Sequence, residues 1–263
     1  MYVPFQPPGR PGPDPFALAG SLAATAARFG SGIVTQPREE QPDPLPELYE
    51  FEGCPFCRIV REVLTELDLN AVIRPCPRGG TRFRPEVTAK GGRMQFPFLL
   101  DPGQQVAMNE SGDIIRYLFM TYGDGQLPLR WRATGLQQFG SALAGAWRPL
   151  RGRTARPSRE PEVPLELYSF EGSPYARLVR ERLCELELPW VLRSVGRSRV
   201  TDWLPPPLRD RLSVTPDPGS PGRQALFERA GRITVPWLVD PNTGMELGES
   251  AEIIEYLEHE YAL

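Results

Sequence analysis

Residues 52–58 read Glu-Gly-Cys-Pro-Phe-Cys-Arg, and this short stretch decides the fold. The preceding residues 48–51 alternate apolar and polar side chains and predict a strand. The following residues 59–67 place their apolar side chains on one helical face. Cys54 and Cys57 therefore lie on a strand-to-helix turn, where backbone N–H groups and the positive helix end stabilise a thiolate. Their spacing lets Cys57 reach Cys54 across one turn, so the stretch predicts a redox dithiol.

Composition narrows the class of protein. The chain has 263 residues, 40% hydrophobic and 24% charged, which is typical of a soluble protein long enough for two domains. A net charge of −3 with scattered arginines argues against a nucleic-acid partner. No apolar run approaches the roughly eighteen residues that a membrane span requires. The proline-rich start lacks the features of a signal peptide, so we expect a cytoplasmic, reducing location.

The cysteines and the histidine bear on metal binding. In a reducing compartment the four cysteines, at 54, 57, 76 and 184, are expected to be redox-active or free rather than paired in disulfides. The single histidine, His259, lies near the end of the chain. Since zinc needs four good ligands and no fourth accompanies the first three cysteines, no metal site is expected.

An internal repeat sets the architecture. Residues 48–58 recur as 167–177, residues 96–102 recur as 235–241, and residues 109–118 recur as 248–257. The Gly-Ser pair at 20–21, in the segment before the first copy, is echoed at 140–141. This much ordered similarity indicates two copies of one module.

Each copy is predicted to have the order β-α-β-α-β-β-α. The predicted strands are 47–51, 71–75, 97–100 and 105–108 in the first copy, and 166–170, 190–194, 236–239 and 245–247 in the second. The principal helices are 55–68 and 111–121, then 174–187 and 250–260. We divide the chain into a proline-rich arm with a short helix (1–45), a first module (46–125), a linker with a short helix (126–164) and a second module (165–263). A proline-rich insertion at about 198–217 predicts a surface loop.

The helix predicted at 16–29 has two open interpretations. It either packs on one of the modules or lies on a membrane surface, although its basic face is thin.

The three motifs in this order resemble glutaredoxin and the N-terminal domain of glutathione transferases. The motifs are the Cys-Pro-Phe-Cys turn, an X-Pro pair before a strand, and Glu-Ser at the start of a helix. The resemblance covers 47–122 and 165–262 and implies an α/β protein with two tandem thioredoxin-like domains. The chain leaves no room for the all-helical C-terminal domain of a transferase, so that domain is predicted to be absent.

The resemblance assigns roles in the first module. It implies that Cys54 is the nucleophile and Cys57 the resolving thiol, acting with glutathione on protein or small-molecule disulfides. The backbone of Phe96, next to a cis Pro97, would pair with the cysteinyl part of glutathione. Glutathione is the expected co-substrate or ligand, and an iron–sulfur cluster bridged between two chains through Cys54 and glutathione is a minor alternative.

The Glu-Ser pair has two compatible roles. Ser111 is a candidate helix N-cap, and the resemblance adds that Glu110 and Ser111 hold the γ-glutamyl end of glutathione.

The second module lacks the thiols, because Ser173 and Ala176 occupy the two cysteine positions. Ser173 is either a helix N-cap or a hydroxyl that activates bound glutathione. The possible second site comprises Ser173, Val235, Pro236, Glu249 and Ser250. A third redox role for Cys76 is open, and Cys184 is expected to be a packed core thiol.

Three functions follow. The first is a glutathione-linked thiol–disulfide oxidoreductase that uses Cys54 and Cys57. The second is a non-catalytic glutathione-binding, adaptor or assembly protein, and the third is a glutathione transferase that uses Ser173. The sequence leaves the oligomeric state open.

Overall fold

The computed structural model describes Phe5, residues 12–146, Arg148, and residues 151–198, 211 and 218–263. Most of the arm's first eleven residues and nearly all of the predicted insertion at 198–217 lie outside the described part of the chain.

The first half begins with a helix and continues as one βαβαββα module. Its elements are α1 (Pro15–Ala26), β1 (Glu47–Glu50), α2 (Pro55–Glu66), β2 (Ala71–Pro75), α3 (Arg84–Gly91), β3 (Phe98–Asp101), β4 (Val106–Asn109) and α4 (Ser111–Tyr122). The helix α2 starts where predicted because Cys54 caps it and Pro55 occupies its first position. It ends at Glu66, before Asp68, which adopts a left-handed φ of 49°.

The second half follows the same order. Its elements are α5 (Leu129–Arg132), α6 (Thr134–Ala146), β5 (Leu165–Ser169), α7 (Pro174–Glu185), β6 (Trp190–Ser194), α8 (Pro221–Ala230), β7 (Trp237–Asp240), β8 (Met245–Leu247) and α9 (Ser250–Tyr261). The strands that follow each X-Pro pair start one residue later than predicted, at Phe98 and Trp237.

The described strands form one continuous sheet with the order β4-β3-β1-β2-β6-β5-β7-β8. Within each module β1 and β5 run parallel to β2 and β6, and antiparallel to β3 and β7. The modules join where β2 pairs antiparallel with β6, from Ala71 opposite Leu192 to Ile73 opposite Trp190. The junction buries both Ile73 and Trp190 in a hydrophobic core that spans the two modules.

The helix that precedes each module packs on the other module. The helix α1 lies against α7, and α6 lies against α2. The Ser21 hydroxyl donates to the carbonyl oxygen of Pro174 at 2.7 Å, and the Ser141 hydroxyl donates to that of Pro55 at 2.8 Å. Each helix therefore sits over the turn of the opposite half. The helix predicted at 16–29 thus packs on a module, and it ends at Ala26. No helix in the described part of the chain has the length and apolarity to cross a membrane.

Candidate functional site

The first turn holds its two thiols at the start of α2. Cys54 has an extended backbone (φ −83°, ψ 122°), and its Sγ accepts the backbone N–H of Cys57 at 3.2 Å. Such an N-cap satisfies one of the N–H groups that a helix leaves unpaired. The geometry favours negative charge on the Cys54 sulfur, as the sequence predicts for a nucleophile.

The two thiols are shifted in opposite directions. Burial raises the pKa of Cys54, but hydrogen bonds from the Cys57 thiol and from the backbone N–H groups of Cys57 and Phe56 outweigh it, so the pKa falls below its usual value. Burial, together with the hydrogen bond to Cys54, raises the pKa of Cys57 well above its usual value. The nearby Glu50 carboxylate raises the pKa of both thiols. Cys54 is therefore the thiol that ionises first.

The Phe96–Pro97 loop lies beside this turn. The register that places Tyr49 opposite Phe98 brings the two loops together, and the rings of Phe51 and Phe96 meet edge to face at 6.1 Å. The peptide bond between Phe96 and Pro97 is cis. The structure thus brings the predicted Phe96 and Pro97 next to the cysteine turn.

The N-cap residue of α4 is Glu110 and not Ser111 as predicted, since Ser111 is already the first residue of the helix, and Glu110 has an unusual backbone. Its φ is 72° and its ψ is 111°, a region that costs a residue with a Cβ about 1–3 kcal/mol. Its carboxylate accepts from Gln95 at 2.7 Å and pairs with Arg93 at 3.2 Å. Since Phe98 pairs with Asn109, Glu110 comes next to Pro97. Strain of this kind is concentrated at ligand sites.

The helix α6 packs on the first site. Gln138 donates to the Ser111 hydroxyl at 3.2 Å, and Ser141 donates to Pro55 as described above. Arg58 of α2 donates in turn to the Ser141 carbonyl oxygen at 3.2 Å. Cys54, between these contacts, is itself only 3% exposed. Gln138 and Ser141 were not among the predicted site residues, and the repeated Gly-Ser pair was a signal for Ser141 alone.

A buried group of arginines and glutamates connects the two turns. Glu171, next to the second turn, accepts from Arg61 at 2.8 Å and pairs with Arg180 at 2.9 Å. Its counterpart Glu52, next to the first turn, pairs with Arg180 and Arg61, both at 3.2 Å. Arg61 also pairs with Glu50. The helix that begins at Cys54 therefore depends on a carboxylate from the other module.

Glu171 is the centre of this group. Besides its two closest partners it lies 3.7 Å from Arg58 and 3.9 Å from Arg177. Burial raises the pKa of Glu171, but the surrounding guanidinium groups outweigh burial and lower it to about 2. Glu171 is therefore ionised throughout the physiological range.

The second turn repeats the geometry without the two thiols. Ser173 is 2% exposed, and its hydroxyl accepts the N–H of Ala176 at 3.2 Å, which is the N-cap role. The Val235–Pro236 bond is cis, like its counterpart. The remaining two candidates of this site lie at the start of α9.

Those two candidates are Glu249 and Ser250. Glu249 has an ordinary φ of −105° and lies 3.7 Å from Arg232, while Ser250 is buried. The second module therefore lacks the strained residue that Glu110 provides in the first.

The other two thiols are buried outside the dithiol turn. Cys76 packs in a cluster with Tyr49, Phe83 and Phe98, and burial raises its pKa. Cys184 lies between the modules, where its Sγ accepts the Glu52 N–H at 3.4 Å.

Cys184 and His259 are both engaged in packing. Burial raises the pKa of the Cys184 thiol well above its usual value. His259 contacts the ring of Phe5, with centroids 5.7 Å apart. Within the described ranges no group of three or more His, Cys, Asp and Glu side chains is placed to hold a metal ion.

Together the fold and the two turns define a pair of thioredoxin-like domains. A family profile, described as the glutathione S-transferase N-terminal domain, matches residues 48–126 and 167–263. The chain therefore belongs to the glutathione S-transferase N-terminal domain family, with two copies in tandem, as the resemblance predicted. Searches among curated proteins and among solved structures found no match.

Proposed function

We propose that the chain is a glutathione-linked thiol–disulfide oxidoreductase. The observation that carries the proposal is the Cys54 sulfur, held at a helix start with the N–H of Cys57 donating to it at 3.2 Å. A thiolate in this position is a nucleophile at neutral pH, while the neighbouring thiol of raised pKa stays protonated until the second step. Such chemistry suits the reducing cytoplasmic compartment that the sequence predicts.

The reaction balances in three steps. The Cys54 thiolate attacks one sulfur of a disulfide, forms a mixed disulfide and releases the other sulfur as a thiolate that takes up a proton. Cys57 then loses its proton, attacks the Cys54 sulfur and releases the second product thiol, which leaves a Cys54–Cys57 disulfide. Two glutathione molecules reduce that disulfide and become glutathione disulfide, so both electrons pass from glutathione to the substrate.

Glutathione binding is proposed for the surface beside the turn. The backbone of Phe96 next to Pro97 would pair with the cysteinyl part, and Glu110 with Ser111 would hold the γ-glutamyl end. The strained φ of Glu110 supports this assignment, since its ordinary counterpart Glu249 stands beside a turn without thiols. Because Cys54 is only 3% exposed, attack on a disulfide requires the segments packed around the turn to move, and these include α6 at Pro55 and Ser111.

Mass spectrometry after incubation with glutathione disulfide tests the proposal. The wild-type chain should pass through a glutathionyl adduct on Cys54, trapped at short times by acid quenching, to the Cys54–Cys57 disulfide, and Cys54→Ser should abolish both. Cys57→Ser should accumulate the mixed disulfide, because the second step is lost. Ser173→Ala is the matched control, since it changes the equivalent position of the other turn and should leave the adduct intact. A wild-type protein that forms no adduct and reduces no model disulfide would refute the oxidoreductase.

A second candidate is a non-catalytic adaptor, and the burial of Cys54 favours it. In that case Cys54→Ser would leave capture of a protein partner unchanged in a pull-down. Loss of capture in this variant, with capture retained in Ser173→Ala, would exclude the adaptor in favour of thiol chemistry.

A further inference from the structure

The two helices that each pack on the opposite module, α1 and α6, carry no charged residue. Neither α1 nor α6 contains an Asp, Glu, Lys or Arg. Their inner faces are built from small residues that are buried, such as Ala17, Ala24 and Ala144. Surface helices ordinarily carry charged and polar side chains on the side opposite the core. The outer sides of these two helices therefore need another explanation.

The outer sides are apolar. The large exposed side chains are Phe16 and Leu22 on α1, and Leu136, Phe139 and Leu143 on α6. We call these five residues the apolar plate. Phe16 is 88% exposed and Phe139 is 66% exposed.

The two helices lie side by side and run antiparallel. Arg28, just past the end of α1, donates to the Gln137 carbonyl oxygen near the start of α6 at 3.2 Å. Arg148, just past the end of α6, donates to the Ala17 carbonyl oxygen near the start of α1. The plate therefore extends over both helices as one surface, and the internal repeat gives it an approximate twofold symmetry.

The plate is large enough to form the apolar centre of an interface. A phenylalanine side chain buries roughly 150–250 Å² on full burial, so the five side chains expose on the order of several hundred Å². The largest apolar patch of a typical monomer is about 300–600 Å² and is often functional. A standard protein interface buries about 800 Å² on each partner. The plate therefore matches the largest patch of a typical monomer and supplies a large part of one side of a standard interface.

We propose that a second copy of this chain docks on the apolar plate, so that the α1–α6 pairs of two copies form a four-helix layer between them. A twofold dimer uses the same patch on both copies, and a patch with its own approximate twofold axis suits that arrangement. The core of such an interface is poor in charged residues and rich in aromatic ones, as the plate is.

Small residues on the same faces offer space for the partner's large side chains. Ala19 on α1, with Gly135 and Ala142 on α6, lies among the exposed or partly exposed positions of the two helices. Large side chains can enter such gaps as ridges enter grooves. A lipid surface is the less suitable occupant, because membrane-surface helices present Lys and Arg to the headgroups and these two helices have none.

Sedimentation velocity on the full chain tests the dimer. The wild type should sediment as a dimer at micromolar concentration, and Phe139→Glu should shift it to a monomer, because the new carboxylate would be buried unpaired. Phe16→Glu should act in the same way from the other helix. Val163→Glu is the matched control, since Val163 is 51% exposed but lies in the linker outside the plate. Circular dichroism and the thermal midpoint should show that all three variants stay folded.

Three results would overturn the proposal. They are a wild type that remains monomeric at high micromolar concentration, a Phe139→Glu variant that remains dimeric, and dissociation by Val163→Glu to the same extent. Flotation with neutral phosphatidylcholine vesicles separates the lipid alternative, since a monomer that floats through Phe139 would assign the plate to a membrane instead.

Discussion

The two turns of this protein share a backbone and differ in their chemistry. Cys54 and Ser173 have nearly the same conformation, with φ of −83° and −69°, and each caps its helix through the N–H three residues later. Both receive a serine-bearing helix from the opposite half. The geometry of the turn is therefore a property of the fold, because it persists where no thiol remains.

What separates the modules is a small number of side chains. The first module has Glu50 below its turn, and the second has Ser169, which accepts from Arg180 at 3.2 Å. The first has a strained Glu110, and the second has a relaxed Glu249. The buried ion pairs connect the modules in both directions, so the second turn supports the first even without its own thiols. Four substitutions test how far this comparison holds.

The largest effect is expected from Glu171→Ala. This change leaves four arginine side chains, at 58, 61, 177 and 180, without their shared carboxylate in a buried site. Removal of one partner of a buried ion pair costs about 3–5 kcal/mol, so the free energy of unfolding in urea should fall by that amount.

The matched control removes an exposed pair. Arg156→Ala breaks a contact to Glu258 at 2.6 Å between partly exposed side chains and should cost less than about 1 kcal/mol. Equal losses of unfolding free energy in Glu171→Ala and Arg156→Ala would show that Glu171 does not hold the modules together.

The next effect concerns pH. Burial raises the pKa of Glu50 to about 7, with Arg61 opposing the shift. A raised pKa means that the stabilising contribution is complete below the unfolded pKa near 4.5 and is lost as the pH rises through 7. A shift of one pKa unit corresponds to about 1.4 kcal/mol. The free energy of unfolding of Glu50→Gln should therefore rise by a few kcal/mol relative to that of the wild type between those pH values.

Urea unfolding at pH 4.5, 6 and 8 measures this difference. Ser169→Ala, at the equivalent position of the second module, provides a control without a titrating group. An offset between Glu50→Gln and the wild type that stays constant with pH would refute the assignment.

A smaller effect is expected from the contact between α6 and the first turn. Ser141→Ala removes the hydroxyl that donates to the Pro55 carbonyl oxygen and should cost about 0.5–1.5 kcal/mol. Because α6 would then be held less firmly over the first turn, a small thiol reagent should label Cys54 faster. Ser21→Ala removes the equivalent bond to Pro174 and should cost a similar amount without changing the labelling rate. Equal acceleration in both variants would mean that α6 does not control access.

The smallest effect has opposite signs in the two modules. Glu110→Gly should raise the free energy of unfolding by about 1 kcal/mol, because glycine relieves the strain at φ 72°. Glu249→Gly should lower it by up to about 1 kcal/mol, since φ is −105° there and glycine only adds freedom to the unfolded chain. Thermal unfolding of the two variants measures both signs. A loss of stability in Glu110→Gly would contradict the strain.

The sequence was sufficient to predict the two modules but not how they associate. The turn at Cys54, its copy at Ser173 and the order of elements follow from local patterns, and each principal helix starts within one residue of its predicted position. The pairing of β2 with β6 has no local signal, because an edge strand looks the same whether solvent or another strand lies beside it.

The packing of α1 and α6 on the opposite modules could not be predicted from the sequence either. Their buried faces consist of small residues such as Ala17, Ser21 and Ala144, which show little contrast with the outer faces. The hydroxyls of Ser21 and Ser141 become informative only once the turns they contact are known.

The crossed helices give the chain the form of a homodimer whose two subunits have been joined into one polypeptide. In a dimer of identical subunits, any change in one turn appears in both, so neither can lose its thiols alone. After fusion the two copies can vary independently while each still holds the other's helix. Ser173 and Ala176 then mark a half without the two thiols that still serves as a structural partner, and Glu171 is its contribution to the half that has them.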